Sequence, residues 1–348
     1  MDPPGGKVPL VFFLVLGLMN PHLLASQEKS TDRVHLKSPA QGTSRSLYVG
    51  QVLDLDAQNL VIRIADDREL KLDAARVLRI ETPSLPSHTR AEQLYRIHDF
   101  KGALPEYRRA LETEKRPWVR SELSAKMVLA LKAQNRQQEA CQLFLDHFRQ
   151  RPQTRFLHVA PINWRSVDLS RGEVSFFENL IQDGNPLEQL IGSSWLLEGD
   201  LSREAVRRLQ QLSELKAANQ LVGRINRLAQ LQLWRTRLSD LQNQEPLELA
   251  NLISGMRSED RAGGCFLLAS AYRQLGQSDQ AILQFMKIPI LFPDQYQLSA
   301  EAMDQAASLL RENNRSREHL LVLRELARDY TTTAAGKAAA KALSSQHP

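Results

Sequence analysis

Residues 262–293, AGGCFLLASAYRQLGQSDQAILQFMKIPILFP, carry the pattern that decides the fold. Counted from Ala262, bulky or apolar residues stand at positions 4, 7, 11 and 24, and small residues stand at positions 8 and 20: Cys265, Leu268, Tyr272, Phe285, Ala269 and Ala281. This spacing places the bulky side chains on one face of each of two helices. The small residues let the helices approach closely, while Gly276 closes the first helix and Pro293 cannot continue the second. The stretch therefore predicts a helical hairpin.

The same pattern recurs elsewhere in the chain. A shift of 38 residues maps Ala269 onto Ala307 and Gly276 onto Asn314, and Asn also accepts a left-handed turn conformation. Nearer the front, two further pairs repeat with a period of 37, and residues 187–215 form a degenerate version around Gly199-Asp200. We therefore expect helical tandems over residues 87–153 and 261–331, irregular and degenerate hairpins over 154–260, and a tail over 332–348.

These positions and this period resemble the tetratricopeptide repeat (TPR) family, in the form found in exported bacterial envelope proteins. The resemblance implies a mostly α protein, a TPR-like α-solenoid of helical hairpins, preceded by a small antiparallel β module. A single hairpin cannot bury its apolar stripe, so neighbouring hairpins stack and the array curves. The family resemblance further implies a noncatalytic scaffold that binds a protein or peptide in a concave groove lined by the first helix of each pair.

Four cations occupy positions 12 and 13 of the first helices, which face the groove in such an array: Arg96, Lys132, Arg273 and Arg311. We expect a ladder of positive charge that suits an acidic segment or a carboxylate terminus. Ordinary exposed helix residues are the alternative interpretation. The carboxylate clamp of the family is not met, because position 5 holds His88, Ala125, Phe266 and Asp304.

Residues 46–82 change to a period of two, with turn residues at the breaks, and predict three to four short antiparallel strands. A β module this small buries little apolar area, so we expect it to pack on its neighbour or pair its edge with another chain. The preceding residues 26–45 are polar and aperiodic, and they predict a mobile linker.

Residues 1–25 have the composition of an export signal: Lys7, then the apolar run Val8–Met19, then Leu23-Leu24-Ala25, which ends at a small residue. Twelve helical residues span about 18 Å, short of a hydrocarbon core of about 30 Å. We therefore expect export to the periplasm or the extracellular space, with residues 8–25 as a retained membrane anchor in the alternative case.

Positive charge is concentrated in one stretch of the chain. The whole chain of 348 residues has a net charge of +5, whereas residues 203–237 hold eight cations against two anions, which gives +6. A solvated helix face explains such a stretch most simply. The alternative function is a binding module for an anionic polymer or surface (glycan, lipid or nucleic acid) through this basic stretch, with four central residues: Arg207, Arg208, Arg224 and Arg227.

No familiar catalytic or metal-binding motif occurs. The eight histidines form no HExxH and no His/Cys set at ligand spacing, so we expect no metal, no cofactor and no enzyme activity. Cys141 and Cys265 occupy core-facing repeat positions and are expected to be free buried thiols. An enzyme would need a pocket in the irregular segment 155–185, which holds Trp164, Asp168 and Glu173.

Overall fold

The computed structural model describes residues 31–37, 46–242 and 245–345. The predicted export signal over residues 1–25 lies outside these described residues. The described part is mostly helical, with fourteen α-helices and one small antiparallel sheet of five strands. No helix within it is both long enough and apolar enough to cross a membrane.

The five strands form a sheet with the order β4-β3-β2-β1-β5: β1 Asp32–Leu36, β2 Leu47–Leu55, β3 Asn59–Arg63, β4 Glu69–Asp73 and β5 Val77–Glu81. Strand β2 is long enough to pair with β1 along its first half and with β3 along its second half. Strand β5 returns to pair antiparallel with β1. Three to four strands are expected between residues 46 and 82; the structure has four there, and β1 is a fifth strand.

The prediction of a linker over residues 26–45 is therefore wrong for β1. Only Val34 and Leu36 supply its buried apolar side chains, which is too weak a pattern to stand out in a polar segment. Its remaining anchor is a buried carboxylate: Asp32 Oδ2 accepts the Val52 N–H at 2.7 Å, and Asp32 Oδ1 lies 3.8 Å from the Arg116 guanidinium. These partners are distant in sequence, so local periodicity could not reveal them.

The first tandem contains α1 Pro86–Arg96, α2 Phe100–Thr113, α3 Pro117–Ala133 and α4 Gln137–Gln150. The central part contains α5 Arg171–Asp183, α6 Pro186–Trp195, α7 Ser202–Ser213, α8 Gln220–Arg235 and α9 Glu245–Ser254. The last part contains α10 Ala262–Gln274, α11 Ser278–Leu291, α12 Tyr296–Glu312, α13 Ser316–Asp329 and α14 Ala334–Ser344. The expected tail over 332–348 thus includes a helix, α14, which packs on α13 and α12.

Four hairpins share one turn. Each has three residues between its helices, and the middle one has a left-handed backbone: His98, Asn135, Gly276 and Asn314, with φ of 60°, 59°, 69° and 59°. The residue after it donates its backbone N–H to a carbonyl five residues earlier in every case, as from Gln277 to Tyr272 at 2.9 Å. This bond satisfies a carbonyl that the end of the helix leaves free.

Each of these helices packs on the next in the chain, from α1 to α4 and again from α10 to α14. The small residues lie where the sequence predicts close crossing: Ala269 and Ala281 are fully buried, and Ala307 is buried in the second pair. Two successive helix pairs, α10–α11 and α12–α13, are therefore present within the expected range 261–331.

The two tandems also contact each other directly. An aromatic cluster joins the α1–α2 hairpin to α12 and α13: Tyr95, His98, Phe100, Tyr296 and Tyr330. Phe100 and Tyr296 meet edge to face with ring centroids 4.8 Å apart. Tyr296 also lies 4.9 Å from both the His98 and Tyr330 rings. Segments about 200 residues apart are thereby held in one body.

A pair of glycines tests how the irregular segment before α5 is packed. Gly263 and Gly172 are each the second residue of a helix, but a Cβ at Gly263 would overlap the indole of Trp164, whereas a Cβ at Gly172 would meet nothing within 4 Å. Gly263→Ala should lower the free energy of unfolding by about 1–3 kcal/mol. Gly172→Ala should leave it unchanged or raise it by up to about 1 kcal/mol. Urea unfolding measures both, and equal effects would contradict the packing of Trp164 against α10.

Candidate functional site

The four groove cations do not form a ladder. Arg96 is exposed on α1, and Lys132 is drawn into the contact between the tandems. Arg273 lies 3.6 Å from Glu312 and also donates to Gln305. Arg273 and Arg311 both lie close enough to Asp304 to oppose the rise in its pKa that burial causes. The expected cationic groove is thus, around α10 and α12, a face of mixed charge.

Lys132 makes its hydrogen bonds within the protein. Its Nζ donates to the backbone oxygen of Val159 at 3.3 Å and to Gln295 Oε1 at 3.1 Å. Gln297 Nε2 donates to the oxygen of Ala133 at 2.7 Å beside it. Burial lowers the pKa of Lys132 to about 8. This side chain therefore helps to fasten α3 to the start of α12 and is not available to a partner.

The basic stretch over residues 203–237 does not present its four central residues as one free surface. Arg224 is buried and donates to both Asp260 oxygens at 2.8 and 2.7 Å. Arg207 and Arg208 share the carboxylate of Glu204, and Arg227 donates to the backbone oxygen of Gly255. The four central residues therefore each have a contact within the molecule, although Arg227 has no carboxylate partner among the described residues.

The three residues that an enzyme pocket would need lie apart. The ring of Trp164 packs over Gly263, and Asp168 lies in another depression, near Trp195 and Gly199. Glu173 caps its own helix, since its Oε2 accepts the Ser170 N–H at 2.9 Å. Segment 155–170 is an irregular connection with one 3₁₀ turn, Leu157–Val159. The structure brings these candidates to no common site.

A larger cleft lies between α9, α10 and α11, beside the segment that leads into α12. Its volume is about 650 Å³. Most of its lining is apolar and comes from Ala250, Ile253, Leu268, Leu291, Phe292 and Pro293. Helix α9 ends at Ser254 where Arg261 binds its last carbonyls, donating from Nη2 to Ser254 at 2.8 Å and from Nε to Met256 at 3.0 Å. Arg261 thus holds the end of α9 in the cleft wall.

The charges of this cleft are unevenly neutralised. Its carboxylates have cationic partners: Glu259 lies 2.7 Å from Arg257, and Asp294 lies 3.7 Å from Lys126. Its two cations, Arg261 and Lys287, have no carboxylate within ion-pair distance among the described residues. Lys287 donates only to Gln284, at 3.2 Å. An anionic group entering the cleft would therefore find two cations whose charge is not already neutralised.

Cys265 and His158 also line the cleft. Burial raises the pKa of the Cys265 thiol, although Lys287 and Arg261 oppose that rise. Burial lowers the pKa of His158 to about 4, so its imidazole is neutral at pH 7, and its Nδ1 is buried without a hydrogen-bond partner. Cys141 and Cys265 are both free, as expected. Within the described ranges no three His, Cys, Asp or Glu side chains come together to hold a metal ion.

The sequence contains a signal for this cleft that the net charge of residues 203–237 does not reveal. Lys287 is the only charged residue between Ala281 and Leu291, a run that is otherwise nearly all apolar. An isolated cation in such a run is a candidate for a partly buried, functional charge. Arg261 carries no comparable signal, because its neighbours are polar and its contact with α9 depends on the fold.

No family model matches this chain, and neither the curated proteins nor the solved structures gave a match to it.

The environment of Lys132 predicts a pH dependence of stability. Its pKa is about 8 in the folded chain against an ordinary 10.5, so the unfolded chain binds more protons between those values and folding is favoured as the pH rises through them. The wild type should gain on the order of 3 kcal/mol in free energy of unfolding, relative to Lys132→Met, between pH 7 and 10.5. Urea unfolding at four pH values measures the difference. A difference that stays flat up to pH 10 would show that the lysine has an ordinary pKa.

Proposed function

We propose that this protein is a noncatalytic scaffold, a TPR-like α-solenoid of helical hairpins that binds a segment of a partner protein. The observation that carries the proposal is the cleft between α9, α10 and α11, with an apolar lining and two cations that lack carboxylate partners. A segment that places an apolar side chain beside a carboxylate would bury apolar area and satisfy both charges.

The repeated hairpins support the scaffold part of the proposal. Four turns have a left-handed residue at the same position and the same hydrogen bond, and within each tandem each of their helices packs on the next. An array built this way gives long surfaces at a small cost in loop entropy, and such arrays commonly bind extended segments. The direct contact between the tandems engages Lys132, and Arg273 has Glu312 beside it, so we place the binding site at the cleft instead of along the four predicted groove cations.

We propose the periplasm or the extracellular space as its location. This part rests on residues 1–25 alone, whose short apolar run follows a positive start.

The anionic-polymer alternative has weaker support. It needs several cations on one exposed face, whereas Arg224 is buried against Asp260 and Arg207 and Arg208 share Glu204. Arg203, Lys216 and Arg227 are the exposed cations of that stretch whose side chains have no ion pair in the described part of the chain, and Arg227 donates to the Gly255 backbone oxygen. Three unpaired cations, one of them already hydrogen-bonded to the backbone, give little affinity for a polyanion at physiological salt.

Charge reversal in the cleft tests the proposal. Lys287→Glu should reduce capture of the partner from the cell envelope by about tenfold or more, because a desolvated charge pair would become a repulsion. Lys341→Glu makes the same change on the exposed face of α14 and should leave capture unchanged. Quantitative mass spectrometry of the captured proteins gives the ratio. Equal capture by both variants and the wild type would contradict a binding role for this cleft.

A further inference from the structure

The small sheet leaves one edge strand beside a groove. Strand β5 pairs with β1 on one side only, so the peptide groups on its other side have no strand to bond. The groove has a volume of about 570 Å³ and is lined by six consecutive residues, 77–82. Successive side chains of a strand point to opposite faces, so a groove that touches all six runs along the edge of the sheet.

The opposite wall of the groove is helical and rigid. It is formed by His88 and Glu92 of α1, Trp118 and Glu122 of α3, and the segment at Arg155. Trp118 is fixed by donating its Nε1–H to the oxygen of Val52 at 3.1 Å, a contact that also docks the β module on α3. An extended chain in this groove would lie between a strand edge and two helices.

Two side chains in the groove are in unfavourable environments: one is apolar and exposed, and the other is polar and buried without a hydrogen-bond partner. Leu78, in the middle of β5, is 66% exposed. His88 is only 7% exposed, yet its Nδ1 is buried and has no hydrogen-bond partner. A buried polar atom without a partner costs free energy, and an exposed Leu at a sheet edge favours association. A chain that fills the groove would cover the Leu78 side chain and could offer a hydrogen-bond partner to His88 Nδ1.

The charges of the groove indicate the chemistry of that chain. Three carboxylates line it, Glu81, Glu92 and Glu122, against two guanidinium groups, Arg79 and Arg155. Glu81 is already paired with Arg79 at 2.5 Å. Glu92 accepts the Tyr107 hydroxyl, and Glu122 has no ion pair of its own in the structure's described part. Arg155 lies close enough to Glu122 for their charges to interact, so Glu92 and Glu122 leave the groove with an excess of one negative charge.

We propose that β5 binds an extended, basic segment of a partner protein by strand addition, with Lys or Arg side chains directed to Glu122 and Glu92 and an apolar side chain against Leu78. The five residues of β5 would pair with about 17 Å of extended chain. This site is separate from the α9–α11 cleft, so a failure here leaves the cleft proposal standing.

The test uses the full chain and a synthetic probe, an acetylated and amidated heptapeptide of alternating Lys and Val. Titration by fluorescence anisotropy should give saturable binding in the micromolar range. Amide hydrogen exchange should slow at alternate residues of β5 and stay unchanged in β4, the other edge strand. The same peptide with N-methyl groups on alternate backbone nitrogens should bind at least tenfold more weakly, because it cannot complete the ladder.

A charge swap gives the matched protein control. Glu122→Lys should weaken binding of the Lys-Val peptide by tenfold or more and allow a Glu-Val peptide to bind. Glu325→Lys, on the exposed face of α13, should do neither. Three results would overturn the proposal: no binding of the Lys-Val peptide at millimolar concentration, equal binding of the N-methylated peptide, or binding without slower exchange in β5. The titrations of the Lys-Val peptide and its N-methylated form use the wild-type chain, so they test the proposal even if Glu122→Lys fails to fold.

Discussion

The contact between Phe100, His98 and Tyr296 organises this molecule, because it makes one body from two helical tandems that are far apart in the chain. The aromatic rings pack with centroids 4.8 to 5.7 Å apart, in geometries that stabilise aromatic pairs beyond the area they bury. Polar contacts surround the rings: the Tyr95 hydroxyl donates to Asp294 at 3.2 Å, and Lys126 lies over the Tyr95 ring. An array of helical hairpins without such a contact would be an open arc, with each pair held only by its neighbours.

This contact also decides where binding surfaces can exist. It draws Lys132 and the start of α12 into the contact between the tandems. Elsewhere most charges have partners within the chain, as the Arg224–Asp260 pair illustrates. Two surfaces have charges without an ion pair within the described residues: the α9–α11 cleft, with Arg261 and Lys287, and the groove beside β5, with Glu122. The unpaired charges at the two sites have opposite sign, so the two proposed sites would bind segments of opposite charge.

Local patterns in the sequence were sufficient for the features that depend on local contacts. The small residues Ala269 and Ala281 and the turn residues Gly276 and Asn314 act within one hairpin, and the structure places them as the spacing predicts. Strand β1 could not be found in this way, because Asp32 is satisfied by Val52, Thr82 and Arg116. The same limit applies to the charges: whether a cation is free depends on partners such as Asp260 for Arg224, and no periodicity encodes them. Lys287 was visible as an isolated charge, but the cleft around it was not.

The most direct test of this account is native-state hydrogen exchange on Tyr296→Ala. If the aromatic cluster couples the two tandems, amide protection should fall by similar factors, about tenfold or more, in α1–α2 and in α12–α13. The loss should extend to both because each tandem loses the same contact. A loss of protection confined to α12–α13, with α1–α2 exchanging as in the wild type, would contradict the claim that this contact holds the molecule together.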